Sequence, residues 1–282
     1  MNNIIMRFPE GRLKALTLSY DDGVFQDERM IEILDKHGIK CTFNLNSVNY
    51  LQNEDNGRRF GRARAIELYG KAIANGHEVA VHSHTHPRLE YMSTPEIVYE
   101  IMKDREILED MFGGVVRGCA YPFGTYNDQV VDALKSCGIV YARTVGATKG
   151  FSIPTDWLRM PSTCHHAHPE LDTLTDTFVN TEPSPKSPAP WLFYLWGHTY
   201  EFDSNVPTNC WERIESFAEK IGGRDDIWYA SNIAIYEYVE AYRSLVHSAD
   251  SKTVYNPSAL KVWIQAFGKE LAIEPGQTVR LV

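Results

Sequence analysis

The placement of glycines constrains the fold of this chain more than any other feature of its sequence. At four places a stretch with helical periodicity ends at Gly, and a short β-rich apolar run follows. A Gly just past a helix end adopts the left-handed backbone conformation that other residues resist. The runs that follow these glycines are Ile39–Phe43, His77–Val81, Ile139–Ala142 and Ile227–Tyr229. Helices that alternate with short strands predict βα units and a parallel sheet.

Further elements extend this alternation. Thr94-Pro95-Glu96 predicts a helix start, because it supplies a cap, a Pro in the first turn and an acidic residue near the positive end of the helix. We also predict strands over Ala15–Ser19, Val115–Ala120 and Trp191–Trp196, and a last helix over Ser231–Val246. The resulting seven or eight βα units favour a (β/α) barrel over an open doubly wound sheet.

Three stretches depart from the alternation. Residues 46–60 are polar and aperiodic and predict a loop near the site, and the Pro-rich residues 183–190 predict a connector. After Ser251, apolar and polar residues alternate around two turns, which predicts a small antiparallel meander. We therefore expect a barrel over residues 1–250 and a short β-strand extension over 251–282 that packs on it.

Composition excludes several classes of protein. A hydrophobic share of 43% in 282 residues is enough for a large core, so the chain is not a disordered one. The net charge of −9 argues against a nucleic-acid partner, because phosphate contacts need clustered Lys and Arg. Five cysteines without a CxxC spacing favour reduced, packed thiols. The first residues lack an apolar signal core, and no apolar run could span a bilayer, so we expect a cytoplasmic protein without membrane contact.

Two adjacent carboxylates, Asp21 and Asp22, directly follow the first predicted strand and precede Gly23. Parallel α/β folds place their sites at such strand ends. One carboxylate can bind a metal while the other, kept ionised by that cation, accepts a proton from water. An acidic turn without a chemical role is the alternative, since Asp-Gly is a common turn pair.

Three histidines, His82, His84 and His86, follow the third predicted strand. Neutral imidazoles are the commonest zinc ligands, and three of them within five residues favour a metal site over a solvated His-rich loop. If the strand stays regular, His82 and His84 share a face. If the backbone turns after His82, then His82 and His86 converge.

These two segments resemble the first two motifs of the polysaccharide deacetylases of carbohydrate esterase family 4, the group that includes the chitooligosaccharide deacetylases. The family's first motif is (T/S)(F/Y)DDG, and this chain has SYDDG at 19–23; the second is H(S/T)xxH, and this chain has HSHTH at 82–86. The resemblance extends over roughly residues 13–245 and implies a distorted (β/α) barrel. It also implies that Asp22, His82 and His86 hold one divalent metal, most readily zinc, and that Asp21 is the general base.

The third family motif is Arg-x-Pro-(Tyr/Phe)-Gly, and here the run reads AYPFG and begins at Ala120. Ala120 therefore stands where the family has the Arg that braces the catalytic carboxylate. Arg117 and Arg159 are candidate replacements from other positions. Tyr121 and Phe123 lie within the run, and the resemblance implies that the Phe123 backbone N–H faces the oxyanion of the reaction.

Asp156-Trp157 resembles the fourth motif, and the fifth, Leu-x-x-His, runs here from Leu195 to His198. The resemblance implies that His198 protonates the leaving amine, that Asp156 keeps it protonated, and that the acetyl methyl lies against Leu195 and Trp196, with Trp157 nearby. The alternatives are a capping role for Asp156, a core aromatic for Trp157 and a buried structural imidazole for His198.

His165, His166 and His168 match no family position, and a polar loop at the rim of the site is favoured over a second metal site. By resemblance, the chain is a metal-dependent hydrolase that removes N-acetyl groups from an amino sugar or oligosaccharide. Its substrate is then an N-acetylated carbohydrate or a small amide.

Three alternatives remain. In the first, the chain hydrolyses a small cyclic imide or ureide on the same type of barrel. In the second, the barrel binds carbohydrate and is catalytically weak because it lacks the Arg. The weakest alternative takes His82 and His84 as the ligand pair of an amidohydrolase or phosphoesterase. Those folds carry such a pair on the first strand, where this chain has Asp21 and Asp22.

Overall fold

The structure, a computed structural model, describes residues 4–184 and 188–282. Seven α-helices lie within these residues: α1 Gln26–Lys36, α2 Arg62–Ala74, α3 Thr94–Phe112, α4 Asp128–Ser136, α5 Leu171–Asn180, α6 Trp211–Ile221 and α7 Asn232–Arg243. Fifteen strands lie within the same residues: β1 Ile5–Arg7, β2 Lys14–Asp21, β3 Cys41–Leu45, β4 Glu78–Val81, β5 Gly118–Ala120, β6 Tyr141–Ala147, β7 Met160–Ser162, β8 Cys164–His165, β9 Trp191–Gly197, β10 Ile227–Tyr229, β11 Val246–His247, β12 Thr253–Tyr255, β13 Val262–Ala266, β14 Lys269–Ile273 and β15 Thr278–Arg280.

The central parallel sheet closes on itself. Its strands follow the order β7-β6-β5-β4-β3-β2-β9-β8, and β10 pairs with the first half of β2. Only Thr163 separates β7 from β8; its N–H donates to the Tyr194 carbonyl (2.8 Å), and its carbonyl accepts from the Lys149 N–H (3.0 Å). Residues 160–165 therefore join β6 to β9 and complete the ring. The predicted fold class, a distorted (β/α) barrel, is confirmed.

The predicted elements form with shifted bounds, and several elements were not predicted, among them α5, β7 and β8. β5 begins at Gly118 and not at the predicted Val115. Val115 is 75% exposed and lies outside the ring. The sequence pattern did not indicate α5, whose threonines favour strands. Burial of Leu171, Leu174 and Phe178 outweighs that preference and produces a helix. Strands β7 and β8 were also missed, because each is short and Pro161 lies within β7.

The two predicted irregular stretches differ in what they contact. Residues 46–60 contain the 3₁₀ turn Ser47–Tyr50, and Arg59 donates to the Asp22 carbonyl (3.3 Å), so this loop contacts the strand-end acidic pair. The predicted connector at 183–190 has no helix or strand where it is described, and 185–187 lie outside the described residues.

Within the described part of the chain, no helix combines the length and the hydropathy that crossing a membrane requires.

Two small antiparallel sheets complete the molecule. One has the order β1-β13-β14, and the other has the order β11-β12-β15. Val254, Val262 and Ile264 from these sheets pack with Ala241 and Leu245 at the end of α7. β1 comes from the opposite end of the chain, so this region holds both ends of the described chain together. The division between a barrel over 1–250 and an extension over 251–282 stays a prediction.

A buried carboxylate, Glu78 at the start of β4, fastens α7 to the barrel. It accepts hydrogen bonds from the Thr42 hydroxyl (2.8 Å), the Tyr141 hydroxyl (2.7 Å) and the Ile233 backbone N–H (2.9 Å). Burial raises the pKa of Glu78 to about 7, although these hydrogen bonds lower it. The folded protein therefore holds this proton at pH values where the unfolded chain, with an ordinary pKa of 4.5, has released it.

This difference predicts a specific pH dependence of stability. A carboxyl group whose pKa is raised by folding stabilises the fold at low pH and loses that contribution as pH rises through the folded pKa. The unfolding free energy of the wild type, minus that of Glu78→Gln, should therefore fall between pH 4.5 and 7, by at most about 1.4 kcal/mol per pH unit. Urea titrations at several pH values measure it.

Glu67→Gln is the matched control for this measurement. Glu67 is exposed, and its hydrogen bond with Lys71 lowers its pKa, so its pH-dependent difference should be absent or have the opposite sign. A difference for Glu78→Gln that stays constant over this pH range would show that Glu78 is already ionised in the folded protein.

Candidate functional site

The chemically active side chains meet at the carboxyl ends of the barrel strands. They surround a pocket of about 300 Å³. The pocket is lined by carboxylates, imidazoles, a guanidinium and aromatic rings from five strand ends and the turns that follow them: Asp21, Asp22, His82, His86, Tyr121, Phe123, Gly124, Arg143, Val145, Trp196, His198 and Tyr200.

Three potential metal ligands converge at one side of this pocket. Asp22 Oδ1 lies 3.8 Å from His82 Nε2 and 3.8 Å from His86 Nε2, and the three ligand atoms lie within 4.8 Å of one another. His82 Nδ1 is 2.8 Å from the carbonyl oxygen of Ala120. A carbonyl only accepts, so Nδ1 carries the proton and Nε2 presents its lone pair to the cluster. This donor set fits a divalent transition ion.

The backbone turns after each strand aim these side chains. Asp22, Ser83, His86 and Phe123 all have positive φ, between 57° and 79°, which is uncommon for residues other than Gly. The turn at Ser83 reverses the chain after His82 and brings His86 back beside it, as one of the two sequence-based alternatives required. His84 points elsewhere, with Nδ1 at 2.8 Å from the Ser47 hydroxyl.

Asp21 is a buried carboxylate between two imidazoles. Its Oδ2 lies 3.9 Å from His82 Nε2 and 3.9 Å from His198 Nε2, and Asn44 donates to its Oδ1 (2.8 Å). The Arg143 guanidinium hydrogen-bonds Oδ2. Burial raises the pKa of Asp21, but Arg143 and then the imidazoles outweigh that effect and hold the pKa below its ordinary value. Asp21 is thus a carboxylate, able to accept a proton, although only 2% of its surface is exposed.

Asp156 does not occupy its expected place. It is exposed, caps the Leu158 N–H (3.0 Å) and pairs with Arg159 (2.8 Å); among the described residues it makes no contact with His198. The predicted Asp156–His198 pairing is therefore corrected, because the turn that Asp156 caps keeps it at the surface. Glu201 Oε2 instead lies 3.4 Å from His198 Nδ1.

Two predicted substrate contacts are also corrected. Trp157 is a core residue that donates to Glu240 (2.8 Å) and packs on Tyr236, and it does not line the pocket. Leu195 is fully buried in the main core, because neighbouring residues of a strand point to opposite sides and Trp196 is the one that faces the pocket. Tyr121 and Phe123 line the pocket, as Trp196 does.

Comparison with known proteins agrees with this arrangement. Residues 9–142, which carry SYDDG, HSHTH and AYPFG, match the polysaccharide deacetylase family model. These residues are therefore similar to the polysaccharide deacetylases. The match includes Asp21, Asp22, His82 and His86, and it ends one residue before Arg143.

Curated relatives are similar to part of this chain over part of their own length. The uncharacterized protein YlxY of Bacillus subtilis is 31% identical over 115 residues, which cover 40% of this chain and 32% of YlxY. The peptidoglycan-N-acetylglucosamine deacetylase PgdA of Listeria monocytogenes is 27% identical over 123 residues, which cover 43% of this chain and 24% of PgdA. The chain therefore spans a third or less of these two proteins.

One solved structure extends the likeness of fold to most of the chain. A polysaccharide deacetylase-like structure from Mycobacterium smegmatis, described as a putative member, superposes with a TM-score of 0.60 at 16% identity. The match covers 86% of this chain and 96% of that one. The likeness of fold therefore includes the strands beyond residue 142.

Arg143 is a candidate functional residue that sequence reasoning missed. The family's brace for the catalytic carboxylate comes from the position of Ala120, but Ala120 on β5 is the direct register partner of Arg143 on β6. Arg143 therefore presents its guanidinium to Asp21 from the neighbouring strand, at the same height of the barrel as Ala120. Arg117 pairs with Glu237 and Arg159 with Asp156 and Asp128, so neither expected replacement reaches Asp21. An Arg directly after the apolar run Ile139–Ala142 was the available signal.

This relocation predicts a large cost when the guanidinium is removed. Arg143→Ala should destabilise the protein by about 3–5 kcal/mol, because it leaves a buried carboxylate unpaired. The loss should be greater at pH 7.5 than at pH 5, since an unpaired Asp21 takes up a proton more readily at lower pH. Urea unfolding at both pH values measures it.

One further variant serves as the control for Arg143→Ala, and a double variant tests whether the loss can be rescued. Arg117→Ala removes a partly exposed ion pair and should cost at most about 1 kcal/mol. The double variant Ala120→Arg/Arg143→Ala returns the guanidinium to the family position and should recover part of the loss. Equal costs for Arg143→Ala and Arg117→Ala would show that Asp21 does not depend on Arg143.

Proposed function

We propose that the protein is a metal-dependent N-deacetylase that acts on an N-acetylated amino sugar. The observation that carries this proposal is the position of Asp21 and His198, whose Oδ2 and Nε2 atoms lie 3.9 Å apart in the pocket beside the Asp22–His82–His86 cluster. Cleavage of an amide needs a proton acceptor for the attacking water and a proton donor for the leaving nitrogen. The similarity to PgdA, named for deacetylation of N-acetylglucosamine in peptidoglycan, supports this substrate class.

Asp22, His82 and His86 would hold the metal ion, and zinc suits a set of two imidazoles and one carboxylate, as other transition ions also do. A divalent ion there supplies Lewis-acid polarisation of the amide carbonyl and activation of a water molecule. Burial, and then the neighbouring His82, lower the pKa of His86. A neutral imidazole is the form that can donate a lone pair to a metal.

The residues around the cluster divide the remaining work. Asp21, ionised beside Arg143, accepts the proton of the attacking water. His198 donates a proton to the leaving nitrogen. The Phe123 backbone N–H lies in the tight turn after β5 and stabilises the oxyanion. Trp196 and Tyr121, which line the pocket, enclose the acetyl group.

A second candidate substrate is a small cyclic imide or ureide. The pocket volume of about 300 Å³ lies at the lower end of the range for ligand sites and favours a compact amide. The alternative of a catalytically weak, carbohydrate-binding barrel rested on the missing Arg. It is no longer favoured, because Arg143 supplies the hydrogen bond to Asp21 that Ala120 cannot.

The test of function is acetate release from a panel of N-acetyl amino sugars, their oligomers and cyclic amides. We expect acetate from the N-acetyl sugars, and Asp21→Asn should lower kcat by roughly 10²–10⁴-fold, the usual effect of losing a general base. The Asp21→Asn variant should retain its bound metal. Ring opening of a cyclic amide without acetate release from any sugar would establish the second candidate instead.

The ligand assignment is tested by metal content. His86→Ala should lose the tightly bound ion after dialysis, whereas His84→Ala should keep it, because His84 faces Ser47 and not Asp22. Elemental analysis measures the ion, and circular dichroism confirms that both variants fold. Loss of the ion in His84→Ala but not in His86→Ala would reverse the assignment.

A further inference from the structure

A second cluster of histidines lies beside the pocket and surrounds a single carboxylate oxygen. Glu201 Oε2 is 3.1 Å from His165 Nε2, 3.2 Å from His166 Nε2 and 3.4 Å from His198 Nδ1. The backbone N–H of His198 also donates to Oε2 (3.2 Å). His165, His198 and Glu201 are close enough together to suggest a metal site, so the protonation of each ring decides what the cluster does.

The hydrogen bonds on the far side of two rings fix their protonation. The Ala167 backbone N–H donates to His165 Nδ1 (3.1 Å), so the proton of a neutral His165 sits on Nε2 and points at Glu201. His166 Nε2 lies 2.9 Å from the Asn209 side-chain oxygen and therefore also carries a proton. Burial lowers the pKa of His166 to about 4, so this ring is neutral at pH 7.

These proton positions exclude the metal interpretation of the cluster. A ligand nitrogen must present a lone pair, and His165 Nε2 could do so only if Nδ1 took the proton and lost the Ala167 bond. Glu201 is instead the acceptor for N–H groups. These hydrogen bonds hold its pKa well below the usual range although burial raises it, so it is ionised.

An ionised acceptor beside Nδ1 determines how His198 is presented. Glu201 Oε2 lies 3.4 Å from Nδ1, a charge contact without hydrogen-bond geometry, and the opposite nitrogen, Nε2, faces Asp21 Oδ2 at 3.9 Å. Glu201 sits in the 3₁₀ turn Thr199–Ser204 that directly follows His198, so the same carboxylate ties down the backbone and the ring.

We infer that Glu201 is the positioning residue for His198: it holds the ring with Nδ1 protonated and Nε2 turned to the pocket, and His165 and His166 hold Glu201 in place. Glu201 thereby has the role that the resemblance implied for Asp156, which is to keep His198 protonated. The use of the Nε2 proton rests on the proposed deacetylase function, but the proton position and the charge partner of His198 do not.

Other charged or titratable groups also face His198. Asp21 and, further off, Asp22 lie on the pocket side, His165 lies on β8 with its ring 6.4 Å away, and the Tyr200 ring lies 5.2 Å away. Burial lowers the pKa of His198, but Glu201, Asp21 and Asp22 outweigh it and raise that pKa; Asp21 lies on the side of Nε2. Glu201 is the carboxylate on the side of Nδ1, so removing its charge changes both the proton position and the titration.

The test combines nitrogen NMR with kinetics on the zinc-loaded full chain. In the wild type, the spectrum of neutral His198 should show Nδ1–H and an unprotonated Nε2. Glu201→Gln should lower the pKa of His198, move the basic limb of the kcat profile to lower pH, and reduce kcat at pH 7.5 at least about tenfold, because the ring loses its charge partner. Glu201→Asp should recover part of each effect.

Asp156→Asn is the matched control, since it removes the carboxylate that the family pairing would use. It should leave the tautomer and the pKa of His198 unchanged. A shift of His198 in Asp156→Asn, or no shift in Glu201→Gln, overturns the inference. If Glu201→Gln fails to fold, an Nε2–H tautomer of neutral His198 in the wild type overturns it.

Two further readouts separate the possible failures. Zinc content should be the same in the wild type and Glu201→Gln, and loss of a second ion in the variant would restore the metal interpretation. If the wild type releases no acetate from any substrate, the deacetylase proposal fails, while the NMR tautomer and its response to Glu201→Gln still decide the role of Glu201.

Discussion

The buried ion pair between Asp21 and Arg143 is the interaction on which the rest of the site depends. A carboxylate with 2% exposure would ordinarily be protonated, because burial disfavours its charged form. Arg143 reverses that preference, and its guanidinium stacks 4.2 Å from the centre of the Trp196 ring, which also lines the pocket. The pair thus fixes the charge of the candidate proton acceptor and one wall of the pocket together. Such a pair is costly to desolvate, which explains why it lies inside a closed barrel that holds both partners rigidly.

The barrel supplies the geometry for this pair. Strands β2, β4, β5, β6 and β9 end at one face, and register pairing sets Ala120 beside Arg143 at equal height. Left-handed turns after the strands then direct Asp22, His86 and Phe123 into the pocket. Backbone strain of this kind persists only where the surrounding structure enforces it, and it concentrates at functional sites.

Two sets of histidines serve different purposes at this face. His82 presents a lone pair to the first cluster, because the Ala120 carbonyl takes the proton on its other nitrogen. His165 presents a proton to Glu201, because the Ala167 N–H occupies its other nitrogen. The same side chain is thus a candidate metal ligand in one place and a hydrogen-bond donor in the other. The group on the far side of each ring makes the difference.

The sequence by itself determined the class of fold and the first half of the site. Alternation of Gly-ended helices with apolar runs is a local signal, and so are the spacings of SYDDG and HSHTH, which place ligands at strand ends. Tertiary structure alone decided which charge partners those residues have. Arg143 reaches Asp21 across 122 positions of sequence, and Asp156 stays at the surface although its motif is present. A motif records neighbours along the chain, whereas a buried charge is stabilised by neighbours in space, and the register of the closed barrel sets which residues those are.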